Sequence, residues 1–77
     1  IERACMASGR TAASYALCGC IQNVANQTLS RSEQRKVAKF FSDPHRAQET
    51  RQSDRASDER LWTRYRAFGS SAQNACR

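Results

Sequence analysis

The stretch from Ala12 to Thr28 reads AASYALCGCIQNVANQT. Within it Ala13, Leu17, Cys20, Ile21, Val24 and Thr28 recur at helical spacing and share one face. Cys20 falls on that face and Cys18 on its flank. A helix advances about 100° per residue, so the two thiols point in different directions and cannot easily bond each other. They reach instead for Cys5 and Cys76, near the two ends of the chain. This helix is therefore expected to be the post to which both termini are tied. Cys20 faces the core stripe, and Cys76 ends the core stripe of the last helix. The preferred pairing is thus Cys20–Cys76 with Cys5–Cys18. The exchanged pairing, Cys5–Cys20 with Cys18–Cys76, stays open. A Cys18–Cys20 bridge would need a strained small ring and a broken helix.

The need for such ties follows from size. The 77 residues are expected to make one helical domain, residues 1–77. A chain this short buries only about 60% of its unfolded surface, and its core alone supplies ~3–5 kcal/mol. Four cysteines fit that need. An even count in a short chain reads as a disulfide framework, which belongs to an oxidising compartment. Each bridge is worth roughly 3–4 kcal/mol. No long apolar run is present, so these residues contain neither a membrane span nor a signal peptide. The chain starts at Ile1 rather than Met, and removal of an N-terminal segment is expected.

Outward from the central stretch, Ile1 to Ser8 reads as a short helix ended by Gly9, and Thr11 as the N-cap of the central helix. Gly19 weakens that helix by about 1 kcal/mol and leaves room for a backbone or a disulfide to approach. Ser30 to Glu33, S-R-S-E, is a capping box. It opens a second helix, Arg31 to Phe41, with Val37, Phe40 and Phe41 on its apolar face. Asp43-Pro44 stops this helix and starts a third segment at once, from Pro44 to about Gln52. That segment is nearly all polar and is expected at the surface, followed by a flexible link from Gln52 to Ala56. Ser57, Asp58 and Glu59 open the last helix, where Leu61, Trp62, Tyr65, Phe68, Ala72 and Cys76 form a stripe. Trp62 is expected to be buried against Leu17, Ile21, Phe40 or Phe41. With no strand alternation, the fold class is all-α: a small disulfide-stapled bundle of three main helices with short extra turns.

The net charge is +6, carried by eleven Arg and two Lys. Arg keeps its charge and forks onto carboxylates and phosphates, which points to an acidic partner surface. The candidate contact residues are Arg31, Arg35, Lys36 and Lys39 on the outward side of the second helix, with Arg46 and Arg51 from the third segment. Anionic lipid headgroups are the alternative target. Nucleic acid is not expected, because acidic residues are mixed through the basic ones. No nucleophile–base or carboxylate pair stands out, so an enzyme is not expected, and no catalytic residue or cofactor is assigned. His45, in the first turn of its helix, reads as a surface residue. The Cys-Gly-Cys set, with Met6 and His45 as further ligands, gives the alternative of copper or zinc handling. Four structural half-cystines explain the same residues without a metal.

The segments LCGCIQNVA, TLS, QRKVAKFFSDPHRAQETRQSD and LWTRYRAFG, with the late cysteine, cover nearly the whole chain. Together they resemble a family of short secreted proteins of marine and photosynthetic alphaproteobacteria. CGCIQ and FFSDPH-AQ-RQSD are the most specific parts. Members carry N-terminal export signals, so the resemblance implies a periplasmic location. They are often labelled "arginine transporter", but a soluble chain of this size cannot form a translocation path. The resemblance brings no catalytic residues. The expected function is that of a non-enzymatic periplasmic interaction module. Such a module could be an accessory subunit that docks on the periplasmic face of a membrane complex.

Overall fold

The computed structural model describes residues 1–7 and 13–76. The described residues form five helices and no strand: α1 (Glu2–Ala7), α2 (Tyr15–Thr28), α3 (Arg31–Ser42), α4 (Pro44–Gln52) and α5 (Ala56–Ala75). The fold is all-α, a small bundle closed by two disulfides. Gly9 and Thr11 lie outside the described residues. The hydroxyl of Ser14 caps α2, accepting the Leu17 N–H at 3.1 Å. At α3 the capping box is complete. Ser30 Oγ accepts the Glu33 N–H, and the Glu33 carboxylate accepts the Ser30 N–H at 2.8 Å. Asp43 caps α4 through the His45 N–H, with Pro44 at the first helical position. α5 starts one residue ahead of the Ser-Asp-Glu run and has no side-chain cap; Asp58 and Glu59 in its first turn favour its positive end instead.

α2 packs against α5 and α1, α3 against α1 and α4, and α4 against α5. The core is one cluster of Val24, Ala25, Leu29, Val37, Phe40, Leu61 and Phe68. Ile1, Ile21, Phe41, Ala47, Tyr65, Ala72 and Cys76 pack around it. Phe40 meets Tyr65 edge to face, ring centres 5.2 Å apart.

Two expectations need correction. The buried stripe of α2 is rotated toward Cys18 and Ala25, one heptad apart and both fully buried, while Cys20 is half-buried at its edge. The reason is α1, which lies along the flank of α2 and covers Cys18 through the Cys5–Cys18 bridge. On α5, Trp62 lies outside the core cluster. It is half-buried, its ring tilted against Tyr65 at 5.3 Å. Leu61 and Phe68, one heptad apart, take the core positions instead. At Gly19 the nearest neighbour of an added Cβ is a Glu2 carboxylate oxygen at 3.4 Å, an ordinary contact. The space there is used by a side chain of α1, not by backbone.

Candidate functional site

The cysteines pair as Cys5–Cys18 and Cys20–Cys76, the pairing preferred from the sequence. Both sulfur atoms of the Cys-Gly-Cys set are therefore bonded and carry no thiolate. Met6 lies near Tyr15, between α1 and the start of α2. His45 is exposed on α4, with Nε2 3.0 Å from Glu49.

Beside the bridges, two polar clusters hold the helices in place. Gln22 is the hub of the first. Its carbonyl accepts the Glu2 N–H at 2.9 Å, and its amide donates to Asn26 and to Gln34, the latter at 2.8 Å. Gln34 in turn donates to the carbonyls of Ala25 and Leu29, so α1, α2 and α3 are tied at one point. Glu33 centres the second. It accepts from the Ser30 N–H and pairs with Arg64, which also donates to the Thr28 carbonyl at 2.7 Å. The Ser30 N–H is the main reason the Glu33 carboxyl titrates below the usual range. Partial desolvation opposes this, while the Arg64 guanidinium and the Ser30 hydroxyl add to it. The sequence alone assigned no role to Arg64, Gln22 or Gln34. The signal available was the i, i+4 spacing of Gln22 and Asn26 on α2.

The six basic candidates are all exposed. Among the described residues Arg46 forms an ion pair, with Asp43 at 3.6 Å, and Arg31, Arg35, Lys36, Lys39 and Arg51 form none. The fold does not gather all six. Lys36, Lys39 and Arg46 border one recess of about 530 Å³ between α3, α4 and α5. Arg55, which the sequence reading left out, is its fourth cation. Glu49 and Asp58 stand on the same walls, and Phe40 and Leu61 contribute to its lining. Arg31 and Arg35 stand on the outward ridge of α3, one turn apart. Arg51 lies on the opposite flank of α4 from Arg46, the two separated by the inward Ala47 and Thr50. One helical fact was missed in grouping them: residues five apart on a helix point about 140° away from each other.

α4 has no buried residue and turns Ala47 toward the core. No helix among the described residues is long and apolar enough to cross a membrane. Compared with known proteins, the chain matches no family model, no curated protein and no solved structure.

Proposed function

We propose that this chain is a non-enzymatic interaction module of the periplasm that docks its α3–α4 side on an acidic protein surface. The acidic surface would be the periplasmic face of a membrane complex, with this chain as an accessory subunit. The observation that carries the reading is α4. Nine residues are held in a capped helix that has no fully buried side chain and meets the core through the partly buried Ala47. A helix with so little to pack is either a solvated connection or a contact surface. Beside it stand the unpaired cations of α3, an arrangement suited to carboxylates. The two disulfides are compatible with the oxidising compartment this reading requires. Metal handling by Cys18 and Cys20 would first require reduction of both bridges.

The test is purification of the native protein with its partner from the periplasmic or membrane fraction, at rising salt. Exposed charges are screened beyond about 10 Å at roughly 0.1 M ionic strength. The complex should therefore weaken with salt. Arg46→Glu with Arg51→Glu should weaken it further, while moving folding stability by about 0.5 kcal/mol or less. An affinity indifferent to salt and to both reversals would put the contact on another face.

A further inference from the structure

The recess between α3, α4 and α5 has a mixed character that a merely basic surface lacks. Its cations come from three separate parts of the chain: Lys36 and Lys39 from α3, Arg46 from α4, and Arg55 from the link before α5. Among the described residues Lys36, Lys39 and Arg55 have no ion-pair partner. Glu49 is engaged by His45 at 3.0 Å. Arg46 keeps a long, exposed pair with Asp43. Charge of one sign thus outweighs the other at the rim, and apolar atoms of Phe40 and Leu61 lie below it.

We infer that this recess seats a carboxylate-rich segment of a protein partner, with an apolar side chain directed at Phe40 and Leu61. The inference rests on the docking reading above and narrows it. A lipid surface is flat and would meet the ridge of Arg31 and Arg35 before it met a recess. A uniformly anionic ligand would also be repelled by Glu49 and Asp58, which share the walls with the cations. A peptide can answer such a pattern residue by residue, setting carboxylates against Lys36, Lys39 and Arg55 and amide donors against Glu49 and Asp58. Charges placed this way decide register and partner choice more than total affinity.

The experiment compares two variants that lower the net charge equally. Lys36→Glu with Lys39→Glu alters the recess, and Arg31→Glu with Arg35→Glu alters the ridge. Each is titrated at one fixed salt against a fluorescent peptide of alternating Glu and Leu, its Gln and Leu counterpart, and phosphatidylglycerol vesicles. Circular dichroism spectra and melts check that each variant keeps its total helicity and its cooperative unfolding. A Lys36→Gln, Lys39→Gln pair repeats the measurement should the reversal disturb the helix. The acidic peptide should bind and the neutral one should not. The recess pair should lower affinity about tenfold, and the ridge pair by roughly twofold, the share owed to net charge alone. Equal losses from both pairs would overturn the inference, as would no binding of the acidic peptide. Vesicle binding that depends on the recess pair would overturn it in favour of a lipid surface. None of these three results bears on the native complex, whose salt and Arg46/Arg51 dependence tests the docking reading separately.

Discussion

The end of the molecule where α1 meets α2 and the corner formed by α3 and α4 are held by different chemistry. At the first, a six-residue helix far too short to stand alone is fixed by Cys5–Cys18 and by the Glu2–Gln22 hydrogen bond. Cys20–Cys76 then ties the C-terminal end of α5 to the same helix, α2. At the α3–α4 corner no covalent tie exists. α4 is held by its Asp43 cap, by Ala47 against the core and by exposed pairs, each worth little. The contrast teaches what a bridge does for a short chain. It stabilises one end without requiring apolar surface, and so leaves the other end free to be polar.

The largest expected effect is at the bridged end. In the loop-entropy account, Cys20–Cys76, with a sequence separation of 56, contributes about 4 kcal/mol. Cys5–Cys18, with a separation of 13, contributes about 3 kcal/mol. Domains of this kind have only about 5–15 kcal/mol in all. Reducing both bridges should therefore abolish most helical circular dichroism at room temperature. Paired serine variants, unfolded in guanidinium, separate the two bridges. If losing the short loop costs more than losing the long one, the bridged end owes its stability to packing at Cys18 rather than to chain closure.

The next effect concerns how far the apolar core extends. Phe68 is 3% exposed, and Phe68→Ala should cost about 3–5 kcal/mol. Trp62→Ala should cost less, roughly 1–2 kcal/mol, because Trp62 is half-buried and leans on Tyr65 alone among the rings. Urea unfolding of the two variants measures the difference. Equal costs would mean that Trp62 belongs to the core in solution and would shift the boundary between the two regions.

The smallest effect tests the polar tie at Glu33. Its folded carboxyl titrates below the ordinary value, so its contribution is fully present above the unfolded value of about 4.3. The contribution is lost as pH falls through the depressed folded value. Thermal melts should show wild type more stable than Glu33→Gln at neutral pH, with the gap closing as the solution is acidified below the carboxylate range. A gap that stays constant with pH would assign the role of Glu33 to shape, not charge.

Local signals in the sequence located the helices well, because they are carried by residues a few positions apart. The capping box at Ser30 and Glu33 and the Asp43-Pro44 junction define α3 and α4 closely. What failed were inferences about which neighbour covers which face. A single apolar stripe on α2 put Cys20 inside and Cys18 outside. α2 has two partners, α1 and α5, and the real stripe lies between them. Trp62 was expected in the core as a member of the α5 stripe, yet of its two adjacent members Leu61 is buried and Trp62 is only half-buried. The Gln22 hub and the Arg64 contact with Thr28 join residues 12 to 36 positions apart, where helical periodicity carries no information. The basic candidates were legible as exposed residues. The flank of Arg51 follows from helical periodicity alone, but the gathering of Lys36, Lys39, Arg46 and Arg55 around one recess depends on how α3, α4 and α5 pack.

The Cys-Gly-Cys set divides the chain into two consecutive rings that meet at Gly19 and do not interlace. The first cysteine is joined to the second and the third to the fourth. The alternative pairing of the same residues would have crossed the rings, and Cys5–Cys76 would have nested one inside the other. A chain delivered amino end first into an oxidising compartment presents its partners in the order in which they bond. Oxidation in order of appearance yields the native connectivity directly, so thiol–disulfide exchange is needed only to repair an error between Cys18 and Cys20.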